Sequence, residues 1–200
     1  MPANYFDDGG STKRFETAFS LATELHAQQT RKNTTTPYLA HLLGVTSLVM
    51  EDGGEEDEAI AALLHDAVED QGGLLILEEI QSIFGENVAN IVMGCTDAVS
   101  EPKPPWRARK EEYLQHLSEA SEAVLRVSLA DKLHNARCIL SDLRYGGDDI
   151  WRRFNGGKVG TLWYYHSLAA IFKVRTDSPM SHELMLTIDE IDKIATENSE

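Results

Sequence analysis

What most constrains the fold of this chain is how long its helical periodicity lasts. Apolar residues recur every three or four positions in one segment after another, and no stretch keeps the two-residue alternation of a half-buried strand. Phe15, Ala18, Phe19, Ala22, Leu25 and His26 mark a first helix over residues 13–30, which "RKNTTT" breaks. Thr36 followed by Pro37 reads as the N-cap and first residue of a second helix, "PYLAHLLGVTSLVM", stopped by "DGG". "EEDEAIAALLHDAVED" reads as a third, with acids in the first turn where the helix dipole favours them. "LLILEEIQSIFG" and "ENVANIVMGCTDA" make two shorter helices parted at Gly85. The loop "SEPKPPW" (residues 100–106) is the longest irregular piece and a candidate mobile rim. Helices are expected over residues 107–117 and 119–143, then over residues 159–174 and 178–195 beyond the breaks "YGGDD" and "NGG". The fold class is therefore all-α. Residues 1–12 are expected to form a flexible polar tail ahead of a single domain over residues 13–200.

Composition narrows what such a chain can do. Hydrophobic residues make up 42% of the 200, enough for a packed core. The formal net charge of −15 repels phosphate backbones and anionic membrane surfaces, so no nucleic-acid and no membrane partner is expected. A small phosphorylated ligand remains compatible, because it needs only a local basic cluster or a metal. Cys95 and Cys138 sit in apolar patterns and read as reduced core residues. "MPANYFDDGG" has no apolar signal core, and no stretch approaches the roughly 20 apolar residues of a membrane span. A soluble, cytoplasmic protein is expected.

Chemistry concentrates in "AALLHDAVEDQ". On a continuous helix with His65 at the origin, Glu69, Asp66 and Asp70 fall within about 140° of it, opposite Leu63, Leu64, Ala67 and Val68. That face is either a solvated acidic surface or part of a metal site, since imidazole and carboxylate together suit divalent transition metals. His41 stands in an apolar helix; taken alone, such a histidine is more often a core residue than a ligand. Asp131 lies on the apolar face defined by Val124, Val127 and Cys138, with Asn135 one turn on. A carboxylate there must pair with a cation, whether a distant arginine or a metal, because Lys132 points about 100° away on the wheel.

"RK" at residues 31–32 before "PYLAH", then "HDAVED", "FGENVANIV" with "TDA", a second "RK" at residues 109–110 and "SLADKLHNAR" follow one another in order. This series resembles the HD phosphohydrolases, and within them the hydrolase domains of the RelA/SpoT type and the stand-alone small alarmone hydrolases. The resemblance runs from about Phe15 to about Phe172. It implies an HD-type helical bundle in which His41, His65, Asp66 and Asp131 hold Mn²⁺ or another divalent transition metal. It implies that Glu69 and Asp70 handle water and proton transfer. It implies that Arg31, Lys32 and Asn135 contact the nucleotide and that Arg109, Lys110 and Lys158 approach its phosphates. The reaction implied is removal of the 3′-pyrophosphate from a guanosine or adenosine 3′,5′-polyphosphate. "NTTT" replaces the family's glycine-containing turn and Leu42 replaces the proline after the histidine, which leaves the base open. A 5′-nucleotidase of the same superfamily and a non-catalytic nucleotide-binding module are the competing readings. The last helix suits either a cap or a homo-oligomer contact.

Overall fold

The computed structural model describes residues 12–99 and 102–197. The expected tail at residues 1–12 lies outside them but for Thr12, as do two residues of the loop at 100–106 and the last three residues. The described residues are helical, with one isolated β-bridge, Thr30 to Pro37, between segments that are not strands. No helix among them is long and apolar enough to cross a membrane.

The chain divides into two compact units. The first comprises the residues up to Lys103 together with Ala120–Ala130. Its helices are α1 (Lys13–Leu25), α2 (Leu39–Glu51), α3 (Glu56–Leu64), α4 (Ala67–Gln71), α5 (Leu74–Phe84) and α6 (Glu86–Cys95), and the first residues of α8 (Glu122–Gly146) join them. Its centre is α3, which packs on α1, α2 and α6. Every residue from Ala59 to Leu64 is 0% exposed, so α3 is buried all round rather than on one stripe. Small residues make that closeness workable: Ala18 and Ala22 are the fully buried side chains of α1, against which α3 lies.

A capping box joins Glu55 and Glu58 at the start of α3. Arg14 pairs with Glu56 and, at 2.7 Å, with Asp57. The buried Glu58 carboxylate is paired with Arg126, which also donates to Asp52 at 3.2 Å.

Gly94 on α6 lies directly under Val124: a Cβ there would stand 2.6 Å from Val124 Cγ2. Gly94→Ala should therefore destabilise the protein. Forcing a methyl against a stiff β-branched side chain costs about 1–3 kcal/mol, more than the up to about 1 kcal/mol gained in helix propensity. A lower urea midpoint with an unchanged slope is the expected readout.

The second unit comprises Pro104–Glu119 and Asp131–Glu200. It contains α7 (Trp106–Glu119), the remainder of α8, a 3₁₀ helix (Gly147–Arg153), α9 (Gly157–Arg175) and α10 (Pro179–Glu197). Helix α9 packs on α7, α10 and the 3₁₀ helix. Trp106 lies flat on Gly156, where a Cβ would approach its ring to 2.6 Å. A two-pronged pair from Arg137 to Glu183, at 2.8 and 2.7 Å, ties α8 to α10.

Two expectations about the elements need correction. Pro37 does not open α2; its backbone is held in the bridge to Thr30, the Tyr38 amide donates to the Gln29 carbonyl at 2.9 Å, and regular helix starts at Leu39. The first helix correspondingly ends at Leu25, because residues 26–38 form that bridge-closed loop, with Asn33 at a positive φ of 60°. The third helix is not continuous either. It stops at Leu64 and restarts at Ala67, with Asp66 at φ −98° and ψ −3° between the two. His65 and Asp66 therefore occupy a helix break rather than a helix face.

Candidate metal centre

Burial of α3 accounts for the position of the pair after it. The apolar run over residues 59–64 carries His65 inward at the C-terminal end of α3, where its side chain is 2% exposed. His65 Nδ1 donates to the Ala62 carbonyl at 2.8 Å, one turn back. That bond sets the ring's orientation and places the neutral ring's lone pair on Nε2. Nε2 in turn lies 3.0 Å from Asp66 Oδ2. His41, buried on α2, brings its Nε2 to 3.6 Å from the same oxygen. The two imidazoles meet edge to face at 5.3 Å, and one donor atom from each of the three residues lies within 4.8 Å of the others. A lone-pair nitrogen and a carboxylate oxygen at such range repel unless a proton or a cation lies between them. Two imidazoles and a carboxylate, with no thiolate, are donors for a divalent transition metal. The residues present fit such an ion.

Around this cluster stand groups that periodicity did not single out. Tyr38 donates its phenol to Asp66 Oδ2 at 2.5 Å. The Arg31 guanidinium lies 5.6 Å from the centre of the Tyr38 ring. Tyr38 precedes His41 by three positions in "PYLAH", and that one-turn spacing was the available signal.

Glu69 and Asp70, on α4, face different partners. Glu69 accepts from Lys103 Nζ at 3.0 Å and from the Asp97 amide at 3.3 Å. Asp70 accepts from the Gln29 side-chain amide at 2.7 Å. Although the residue as a whole is exposed, desolvation by the chain around its carboxyl, followed by the charge of Asp66, holds Asp70 above the usual carboxylate range, against the Gln29 hydrogen bond. The native state thus keeps a proton on Asp70 at pH values where the unfolded chain has lost it. The stability this group contributes is complete below the ordinary carboxylate range and is lost as pH rises through the elevated value. Asp70→Asn in metal-free protein should therefore gain in Tm over the parent as pH rises across that window. An equal Tm difference at acidic and neutral pH would count against it.

In the second unit Asp131 is buried and is held by its own helix. Lys132 Nζ and Asn135 Nδ2 each donate to it at 2.5 Å. The wheel placed Lys132 about 100° away, but its flexible four-carbon stem curls back to the neighbouring carboxylate. Burial alone would lower the Lys132 pKa; Asp131, with Tyr164 and Tyr113, raises it well above its ordinary value.

The remaining predicted substrate contacts have the following surroundings within their own units. Lys32 is exposed on the loop beside Arg31. Arg109 is buried and donates from Nε to the Pro104 carbonyl at 3.2 Å. Lys110 lies over the Tyr164 ring at 5.0 Å. Lys158 donates to Asp148 at 2.8 Å and to the Ala195 carbonyl at 2.6 Å. The two cysteines are half-buried thiols outside any disulfide; Cys95 Sγ lies 3.6 Å from Ser128 Oγ and Cys138 Sγ 3.8 Å from His134 Nδ1.

A histidine, a His-Asp pair at a helix break and an all-helical frame define the class. The HD domain family matches residues 18–162, and the chain belongs to it. Within that family its relatives carry one recurring activity in their names. It is 43% identical over 123 residues to the guanosine-3′,5′-bis(diphosphate) 3′-pyrophosphohydrolase MESH1 of Xenopus tropicalis, a match covering 60% of this chain and 66% of that protein, just under two thirds. It is 35% identical over 132 residues to MESH1 of Mus musculus, covering 64% of this chain and 71% of that protein. Among solved structures it is similar to a protein described as a metazoan ortholog of SpoT that hydrolyzes ppGpp and plays a role in starvation responses. That likeness has a TM-score of 0.71 and 27% identity, over 92% of this chain and 96% of the other.

Proposed function

We propose that this chain is a divalent-metal-dependent pyrophosphohydrolase that removes the 3′-pyrophosphate of a guanosine or adenosine 3′,5′-polyphosphate in the cytoplasm, as one hydrolase domain over residues 13–200. The observation that carries this reading is the His41–His65–Asp66 donor cluster, in a chain whose relatives are named for this reaction on guanosine bis(diphosphate).

His41, His65 and Asp66 would hold the ion, with Mn²⁺ the metal proposed. Asp131 enters the ligand set from the "DKLHN" resemblance. When bound, such an ion supplies Lewis acidity toward a phosphoryl oxygen and toward water. The chain's own groups do the rest. Glu69, held by Lys103 and the Asp97 amide, accepts the proton that water gives up as its oxygen attacks the phosphorus attached to the 3′-oxygen. That phosphorus–oxygen bond breaks, the 3′-oxygen takes a proton, and pyrophosphate leaves. Asp70 is suited to hold and return a proton because its carboxyl is kept above the usual range. Arg31, above Tyr38, is positioned to stack on the base or to offset phosphate charge. Lys32, Asn135, Arg109, Lys110 and Lys158 are the further substrate contacts proposed.

The test is product identification with matched guanosine and adenosine 3′,5′-polyphosphates in Mn²⁺. Pyrophosphate plus the nucleoside 5′-di- or triphosphate is expected. Release of inorganic phosphate from monophosphates instead would indicate a nucleotidase. Binding without turnover would indicate a non-catalytic module.

A further inference from the structure

His26 has no part in the reaction proposed above, yet it touches the surroundings of both functional carboxylates, by a ring stack on one side and a hydrogen bond on the other. It is 3% exposed, and its ring stacks on Tyr38 at 5.2 Å with the planes 13° apart. Tyr38 is the residue whose phenol donates to Asp66. On its other side, His26 Nδ1 lies 2.6 Å from Gln29 Oε1. An amide oxygen only accepts, so at this shorter contact Nδ1 carries the proton and donates, and the Gln71 amide nitrogen, 3.3 Å from the same Nδ1, gives its hydrogen to Gln29 Oε1. Gln71 donates to the same oxygen, which leaves the Gln29 amide nitrogen facing outward to Asp70 at 2.7 Å.

One amide thereby serves both sides: its oxygen accepts from His26 and Gln71 while its nitrogen donates to Asp70. If Gln29 turned over against these two donors, its NH₂ would meet both of them. His26 thus acts in two directions: through a ring stack that holds the Tyr38 phenol on Asp66, and through an amide that holds a donor on Asp70.

We propose that His26 is a positioning residue for the metal centre, setting Asp66 through Tyr38 and Asp70 through Gln29. This rests on the functional reading given above. Hydrophobic packing would account for a buried ring at this place, but not for a ring nitrogen that fixes which end of an amide faces an acid. Groups that directly hold a metal ligand, as Tyr38 holds Asp66, typically change affinity or activity by about 10- to 100-fold when lost, and that sets the upper scale for His26 acting through them.

Two substitutions separate the two directions. His26→Phe keeps an aromatic ring on Tyr38 and removes the bond to Gln29. His26→Asn keeps a side-chain N–H for Gln29 and removes the ring. Mn²⁺ affinity is measured calorimetrically on metal-free protein, and kcat and KM are measured on the loaded enzyme. His26→Asn should weaken Mn²⁺ about 10-fold or more. His26→Phe should keep Mn²⁺ affinity near the parent's and lower kcat by a similar factor at unchanged KM. Tyr38→Phe keeps the ring and removes the phenol, so it should reproduce the affinity loss of His26→Asn, and the double variant should lose little more than either alone.

Equal affinity and equal kcat in all three variants would overturn the proposal, as would a uniform loss in His26→Phe and His26→Asn that tracks their Tm. If the parent binds Mn²⁺ but turns over no alarmone, the functional reading fails while the affinity measurements still decide the role of His26.

Discussion

Asp66→Ala is expected to remove Mn²⁺ binding and pyrophosphate release together. Asp66 Oδ2 is where the cluster converges: both imidazole Nε2 atoms and the Tyr38 phenol reach it. Without it the cluster keeps two neutral imidazoles and no carboxylate, so within the proposed ligand set Asp131 alone would offset the charge of a divalent cation. Loss of several kcal/mol of electrostatic stabilisation corresponds to a fall in kcat/KM of about 10³-fold or more. The fold should survive, since Asp66 sits at a helix break and is part-exposed while the α3 core beside it is untouched. Calorimetric titration with Mn²⁺ and a pyrophosphate assay check this, with far-UV circular dichroism confirming the helices. A variant that loses turnover but keeps parental Mn²⁺ affinity would remove Asp66 from the ligand set.

Glu69→Gln should separate what Asp66→Ala joins. The amide has nearly the shape of the carboxylate, and its oxygen can still accept from Lys103 or from the Asp97 amide. Glu69 is not among the clustered donors, so metal affinity should stay near the parent's. A neutral amide cannot take a proton from water, and loss of a general base typically costs about 10²- to 10⁴-fold in rate. The fall should appear in kcat with little change in KM. Stability should change little, because the lost Lys103–Glu69 pair is partly exposed and such pairs are worth at most about 1 kcal/mol. If kcat is unchanged, the base is another group.

Helical class and most helix positions were legible in the sequence, because periodicity and glycine punctuation act over a few residues. Gly85 does part α5 from α6, and the "DGG" turn does end α2. Two of the misreadings share one cause, contacts with distant segments that overrule a local signal; the third, at Lys132, is a matter of side-chain reach. Thr36–Pro37 is a sound local start signal, but backbone pairing with Gln29 and Thr30 holds that segment extended. "AIAALLHDAVED" has a plausible polar face as one helix, but α3 is surrounded on all sides, so its polar end turns out of the helix at His65–Asp66. Lys132 is off the Asp131 face by angle alone, yet a long flexible stem reaches it.

By itself the sequence determined that the chain is helical, which residue types could hold a metal, and to which family the order of motifs is similar. Each of these is carried by residue identity and short-range spacing. Only the tertiary structure decided that His41 and His65 converge on one oxygen of Asp66, that Tyr38 caps that oxygen, and that His26 stands behind both. These are contacts between residues up to 45 positions apart. The packing of α1, α2 and α3 sets them, and no local pattern encodes the distance between two helices.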